Sequence, residues 1–429
     1  MQLGLADVSI DLAPFERRLN ASGAAPVAVA LSGGGDSLAL MLLAKRWAGR
    51  AGRRLIALTV DHGLQPQGGA WAEWAGQRAR RLGVAHRTLR WEGDKPASGL
   101  PAAARAARHR LLADAARAAG ARVILLGHTA DDCMEARWMR AAGSTVPTPR
   151  EWAPSPVWPE GRGLFLLRPL LAVRRDALRA WLAAEGEGWI DDPANDDPRF
   201  ARTQARRALA RDGVRPSEAE PAGCSVPDAA APGAGGEFNL PRDAFAGMDS
   251  VAASRRLAAL CLCAGGGQTP PRPDALARLI SRLAVAGDVT AALAGARIEA
   301  RDDRLLICRE AGEFRRTGLG EAPLPVGESV FDGRFLLIAA APGWTVQPLR
   351  GWAKRLPAAQ RRRLAGLPAA VRGALPLVIG PDGAPTCPVL AQGGQIRAFP
   401  LGGERFLAAQ GAIRNEASIE RVAKLLRGA

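Results

Sequence analysis

The sequence predicts an α/β protein, a parallel sheet wrapped by helices and followed by smaller α+β modules, and three observations lead there. Between residues 26 and 210, short apolar runs alternate with longer Ala/Arg/Leu runs of helical spacing. The first apolar run enters a glycine-rich loop that opens directly into an apolar helix. Residues 211–236 are rich in Pro, Ala, Gly and Ser with little apolar periodicity, which reads as a linker. A chain of 429 residues also exceeds what one compact domain usually holds. The expected division is an α/β domain over 1–210, the linker over 211–236, a helical and hairpin module over 237–320, and a small basic domain over 321–429.

The elements follow in order. Residues 27–31, 55–60, 84–91 and 123–126 are β-rich runs, each beside a Gly-containing turn. Residues 38–47, 71–82 and 101–119 carry apolar residues at helical spacing with Arg opposite, so each can cover a sheet face. Beyond the linker, 250–263 and 273–285 read as helices, and 289–309 as two short strands around the turn Arg301-Asp302-Asp303. Residues 329–340 read as a hairpin and 357–367 as a basic helix that Pro368 ends, with short strands from there to the C-terminus.

Lys and Arg number 58 against 42 Asp and Glu, a formal charge of +16 carried mostly by arginine. The planar guanidinium suits phosphate, so this excess favours a nucleic-acid partner over a membrane. Arg361-Arg362-Arg363 within the basic helix is a candidate phosphate contact. None of the six cysteines forms a C-x-x-C pair, the first residues lack a basic and then apolar leader, and no apolar run approaches a bilayer span. A cytoplasmic protein with free thiols and no membrane association is expected.

The segment Pro26-Val27-Ala28-Val29-Ala30-Leu31 runs into Ser32-Gly33-Gly34-Gly35-Asp36-Ser37 and then into a helix. Three glycines let backbone N–H groups converge on an anion, and the helix N-terminus adds unpaired donors and partial positive charge. The hydroxyls of Ser32 and Ser37 are further donors. A carboxylate beside phosphate repels it unless a cation lies between, which assigns Asp36 to Mg²⁺. The G-K-[S/T] ending of a Walker loop is absent.

Two later segments reach the same sheet edge. The second strand ends in Asp61-His62-Gly63-Leu64, placed to meet a nucleotide. The fourth delivers Gly127-His128-Thr129-Ala130-Asp131-Asp132-Cys133-Met134-Glu135, and on a helix His128, Asp132 and Glu135 share one face. Such acids suit either Mg²⁺ or a cationic substrate, or they simply complement a helix dipole. A Zn²⁺ site from His128, Asp131 and Cys133 lacks a further Cys or His at ligand spacing.

The loop resembles the S-G-G-x-D-S fingerprint of PP-loop ATP pyrophosphatases, which cleave ATP to AMP and pyrophosphate and leave an adenylated substrate oxygen. The Gly127 to Glu135 segment resembles the G-H-x-x-D-D-x-x-E-T motif of the tRNA(Ile)-lysidine synthetase family. Three more stretches agree with that family. Ala103-Ala104-Arg105-Ala106-Ala107-Arg108 is similar to its A-A-R-E-x-R helix, and Arg168-Pro169-Leu170-Leu171 to its R-P-L-L turn. Asp191-Asp192-Pro193-Ala194-Asn195-Asp196-Asp197-Pro198-Arg199-Phe200-Ala201-Arg202 is similar to its E-D-x-x-N-x-D-x-x-x-x-R stretch. Ala106 stands where the family has Glu, Ala136 where it has Thr, and Asp191 where Glu is usual.

The resemblance implies ATP, Mg²⁺, free L-lysine and isoleucine tRNA with a CAU anticodon as ligands, with two copies of the chain pairing as an open alternative to a monomer. It implies that Ser32 to Ser37, Asp61, His62, Arg105 and Arg108 bind ATP, with Asp36 on the metal. Asp132 and Glu135 would recognise lysine and handle its proton, His128 would be a second candidate base, and Arg202 and Arg206 would meet tRNA. The rivals are a tRNA thiolase on the same loop and a non-catalytic basic RNA-binding protein.

Overall fold

A computed structural model describes residues 10–144, 146–192, 201–212, 231–285, 287–391 and 393–427. The expected acidic run over 193–200 and most of the expected linker, 213–230, lie outside the described residues. Contacts divide the chain into two compact units: Met1–Gly223 with Ile413–Arg421, and Cys224–Ala412 with Val422–Ala429.

The first unit begins with α1 (Ala13–Arg18), then β1 (Val27–Ala30), α2 (Gly35–Ala51), β2 (Leu55–Asp61), α3 (Gly68–Arg81) and β3 (Ala85–Arg90). It continues through α4 (Leu100–Ala118), β4 (Val123–Leu125), α5 (Ala130–Ala141), β5 (Trp152–Pro154), β6 (Phe165–Leu167), α6 (Arg175–Ala184) and α7 (Ala201–Asp212). The sheet order is β3-β2-β1-β4-β6-β5, with every pairing parallel except β5 against β6. β1 and β4 are apolar runs, almost wholly buried, as central parallel strands must be, whereas β3 buries only Leu89 because it forms an edge. Alanine-rich α4 packs closely on one face, with Leu112, Ala113 and Ala116 against Ala28, Leu58 and Ile124. Moving outward from β1 the chain goes to β2 and β3 on one side and to β4 and β6 on the other. The order therefore reverses between β1 and β4, the place where open α/β sheets bind ligands beyond the carboxyl ends of their strands.

The C-terminal segment of the chain completes this unit. Arg53, 2% exposed, pairs with Glu416, 0% exposed, at 2.8 Å and also reaches the carbonyls of Asn20 and Ala25. The second Glu416 oxygen accepts from Asn20 N at 2.8 Å, and Trp152 Nε1 donates to Ile413 O at 2.8 Å. Glu416→Ala strands the Arg53 guanidinium in a dry site, and the expected loss is about 3–5 kcal/mol, read as a lowered urea midpoint of the full chain.

The second unit opens with β7 (Phe238–Pro241), α8 (Ser250–Gly265), α9 (Pro273–Leu283), β8 (Val289–Leu293), β9 (Ala296–Arg301) and β10 (Arg304–Arg309). These strands form an antiparallel sheet, order β7-β10-β9-β8, whose core includes Phe238, Leu257, Leu260, Ile298 and Ile307. The expected pair of strands over 289–309 is thus three. Ala294 and Gly295 both have positive φ, 50° and 79°, and make a tight two-residue turn that the apolar pattern conceals.

Next come α10 (Glu313–Thr317), β11 (Ala322–Leu324), β12 (Gly327–Phe331), β13 (Phe335–Ala339), β14 (Trp344–Pro348), α11 (Ala358–Ala365) and α12 (Ala369–Arg372). Then follow β15 (Pro376–Ile379), β16 (Pro385–Thr386), β17 (Ile396–Pro400), α13 (Gly402–Ala409) and α14 (Glu416–Arg427). β12 and β13 are the expected hairpin, but the chain ends in helices rather than strands. On α11, Arg361 donates to Leu356 O at 2.9 Å and Arg363 to Leu390 O at 2.7 Å. Those two guanidiniums cap carbonyls, which leaves Arg362 as the arginine of the run whose guanidinium has no such bond to a carbonyl. No helix among the described residues is long and apolar enough to cross a membrane.

Candidate active site

Two loops meet at the β1/β4 switch point. The first, Ser32 to Gly34, leads into α2; Gly33 has φ 89°, and Gly34 is the N-cap in extended conformation. Ser37 shapes this loop from within. Its hydroxyl donates to Gly34 O at 2.9 Å and accepts from Ser32 N at 3.2 Å, and the residue is 8% exposed. That hydroxyl also lies 3.1 Å from the Ser32 hydroxyl, where either oxygen can donate. Ser32 remains exposed at the mouth, beside the first-turn N–H groups of α2, which have no partner within the helix.

The second loop follows β4, and Gly127 lies against the first. A Cβ there would stand 3.0 Å from Asp36 O and 3.1 Å from Ser37 N, both backbone atoms. Gly127→Ala must push the two loops apart, so we expect at least a tenfold rise in KM for ATP with little change in tRNA affinity, measured by steady-state kinetics and filter binding.

Thr129 then caps α5 with a capping box: Asp132 Oδ2 accepts from Thr129 N and from its hydroxyl, both at 2.9 Å. Asp131 ties α5 to α6 by accepting from Arg175 N at 2.7 Å and Arg174 Nε at 3.1 Å. Asp132 thus takes part in capping α5, whereas Asp131 in the same first turn is engaged by the start of α6. Glu135 is different. It is 1% exposed, its Oε1 accepts from Arg206 Nε at 2.7 Å and Arg175 Nη1 at 3.3 Å, and Oε2 has no hydrogen-bond partner among the described residues.

Arg175, at the start of α6, joins the three acids. Its Nε donates to Asp36 Oδ2 at 3.0 Å, while Nη2 lies 3.5 Å from Asp132 Oδ2 and Nη1 3.3 Å from Glu135. These carboxylates hold the guanidinium charged well above its ordinary range against the opposing effect of burial. Burial raises the Asp36 carboxyl, and Arg175 opposes that shift. At Asp132 burial is outweighed by His128, the Thr129 N–H, Arg175 and Arg202, so its carboxyl is held below the usual range. Arg202 and Arg206, expected to meet tRNA, instead face this cluster. Arg202 lies 3.7 Å from Asp132 and 3.9 Å from Glu135, and Arg206 closes on Glu135.

A cationic wall stands beside the acids. Arg108 and Arg168 are both pushed down to about 10, by burial first and then by neighbouring arginines that include Arg105. Arg108 Nε is buried and has no hydrogen-bond partner among the described residues. Arg105 is exposed above it. His128 Nδ1 accepts from Arg168 Nε at 3.2 Å, and burial, with Arg168, Arg108 and Arg202, pushes its imidazole down to about 3. The imidazole is thus a neutral hydrogen-bond acceptor held by Arg168. Asp61 accepts from Gly63 N at 2.9 Å and so holds its own turn at the end of β2, while His62 sits edge-on to Trp91 with its imidazole lowered by burial.

The acids fit a cation of one particular kind. Asp36 keeps Oδ1 free of the Arg175 contact, and no group of three His, Cys, Asp or Glu side chains among the described residues could hold an ion alone. A hard cation that takes one carboxylate together with ligand phosphate oxygens and water matches that donor set.

Sequence reasoning missed Arg175 and the cover on the loop. Ile190 N donates to Gly33 O at 3.0 Å, and Trp189 would stand 3.5 Å from a Cβ at Gly35. The signal for Arg175 was the Arg174-Arg175-Asp176 start of an amphipathic run burying Leu178, Trp181 and Leu182.

Comparison with known proteins agrees with this geometry. A family model described as a PP-loop domain matches residues 11–212. The chain is 49% identical over 412 residues to a tRNA(Ile)-lysidine synthase of Caulobacter vibrioides, covering 94% of this chain and 98% of that protein. It is 39% identical over 352 residues to a tRNA(Ile)-lysidine synthase of Hyphomonas neptunium, covering 74% of this chain and 90% of that protein. Among solved structures, a U34-tRNA thiolase from Methanococcus maripaludis aligns with TM-score 0.39 at 16% identity over 46% of this chain and 71% of that one.

Proposed function

We infer the chemistry of the site from one premise: the chain belongs to the tRNA(Ile)-lysidine synthase family. It is a ligase that joins lysine to carbon 2 of the wobble cytidine in the CAU anticodon of isoleucine tRNA, with ATP cleaved to AMP and pyrophosphate. The observation that carries the residue roles is the Gly127 contact, which sets the ATP loop and the acidic helix α5 in one crevice.

The carbonyl oxygen at carbon 2 of cytosine would have to leave as oxide. Its attack on the α-phosphate of ATP expels pyrophosphate and converts it to a phosphate ester, so AMP departs when an amine attacks that carbon. In this reading the backbone of Ser32 to Gly35 and the first turn of α2 hold the pyrophosphate, with Arg105 and Arg108 as the flanking cations. Asp36 holds Mg²⁺, whose charge neutralises the phosphates. Free lysine places its ammonium against Glu135 Oε2 and Asp132 Oδ1. Glu135, held in a dry site, then accepts the proton that the amine must lose before it attacks. His62 and Asp61 border the nucleotide, and Arg202 moves to the tRNA when it docks. An anticodon loop presents its base unpaired, so no duplex has to open.

Among the described thiols the thiolase reading finds no support. Cys261, Cys263, Cys308 and Cys387 are buried and pushed up to about 12, and burial and Asp132 raise Cys133. Reactive sulfur chemistry needs the opposite shift. The test is incubation with ATP, Mg²⁺, labelled L-lysine and isoleucine tRNA carrying CAU or a changed wobble base. Label should enter only the CAU tRNA; entry into both tRNAs alike, or into neither, would contradict the assignment.

A further inference from the structure

The acids assigned to lysine are engaged by a cation that the chain itself supplies. Arg175 lies within 3.0 Å of Asp36, 3.3 Å of Glu135 and 3.5 Å of Asp132, and among the described residues it is the one guanidinium shared by all three. Asp36 belongs to the ATP loop, whereas Asp132 and Glu135 belong to α5, so a single side chain bridges the two ligand sites. Its backbone N–H is anchored to Asp131 at 2.7 Å, which fixes the start of α6 independently of the side chain's contacts.

We propose that Arg175 is an internal stand-in for the substrate ammonium, and that ATP binding draws it from the carboxylates so that the lysine site opens only on an ATP-loaded enzyme. The proposal rests on the reading of Asp132 and Glu135 as the lysine site. The argument is electrostatic. A triphosphate beside Asp36 offers the guanidinium a more highly charged, bidentate partner than one carboxylate does. As the guanidinium turns to the phosphates, Asp132 and Glu135 lose a counter-ion. Glu135, which is 1% exposed and whose Oε2 lacks a hydrogen bond among the described residues, then keeps only Arg206 and the more distant Arg202 as cations in a dry site. A lysine ammonium restores the balance. Arg206 stays on Glu135 throughout and holds that carboxylate in place. Arg175 is in this sense a positioning residue that couples two ligands, and the coupling must be reciprocal.

The test is calorimetric binding of L-lysine to the full chain, with and without saturating α,β-methylene ATP and Mg²⁺. The wild-type protein should bind lysine about tenfold or more tightly with the analogue. Arg175→Gln should bind lysine without the analogue at least as tightly as loaded wild type, with the analogue adding less than twofold. Arg174→Gln, which removes the neighbouring surface cation, should keep the wild-type ratio. A wild-type ratio near one overturns the proposal without any variant, and so does an Arg175→Gln protein that keeps the wild-type ratio. If no form binds lysine while all bind the analogue, the assignment of the lysine site itself fails.

Discussion

Asp36→Asn should abolish pyrophosphate release, with a fall on the order of a hundredfold or more in the single-turnover rate with tRNA present. The substitution keeps the shape of the side chain and an oxygen that can still accept from Arg175 Nε, now 3.0 Å from Asp36 Oδ2, so the loop should persist. What it removes is the charge that would hold the divalent cation on the phosphates. Binding of tRNA, followed by filter retention, should change less than threefold. Unaltered pyrophosphate release would remove Asp36 from the metal and leave it as a helix N-terminal acid.

Glu135→Gln should separate the two half-reactions. Its carboxylate is buried, paired with Arg206 at 2.7 Å and Arg175 at 3.3 Å, and its second oxygen has no partner among the described residues. Removing one member of a desolvated charge pair costs roughly 2–5 kcal/mol, so KM for lysine should rise on the order of a hundredfold. Formation of adenylated tRNA without lysine should stay within about threefold of wild type. Equal defects in both steps would overturn the division of roles between Asp36 and Glu135.

The residues behind these two predictions differ in how openly the sequence displays them. Asp36 was legible because its chemistry is contiguous: a strand, three glycines and a helix start supply an anion site within a few residues. Glu135 was legible as one of several acids, but not as the most deeply buried of them with an oxygen lacking a hydrogen bond among the described residues. That distinction depends on Thr129 engaging Asp132, on α6 engaging Asp131, and on α7 presenting Arg206. Arg175 was not legible as a site residue, because it lies 139 residues from Asp36 and meets it only when α6 packs beside α2. Its local pattern announces an amphipathic helix and nothing more.

The same physics governs the fold. Parallel strands buried on both faces read as apolar runs, so β1, β2 and β4 stood out, and β3 was recognised with its ends trimmed to Ala85 and Arg90. The three-residue strands β5 and β6 were too short to show periodicity. The β8–β9 turn was hidden because Ala294, not Asn or Asp, takes positive φ before Gly295. The return of residues 413–421 to the first unit was invisible, since Arg53 and Glu416 are 363 residues apart and each alone reads as a surface charge. Arg202 and Arg206 show the converse. Basic residues on a helix suggested a polymer contact, whereas buried Glu135 gives them a nearer partner.

The central claim is that one crevice first adenylates the tRNA base and then receives lysine. The most direct measurement is the fate of α-³²P-labelled ATP mixed with enzyme, Mg²⁺ and isoleucine tRNA before and after lysine is added. The account predicts label on the tRNA while lysine is withheld, then its release as AMP in step with lysine incorporation. Label that appears on lysine instead, or that never joins the tRNA although lysine is incorporated, would contradict it.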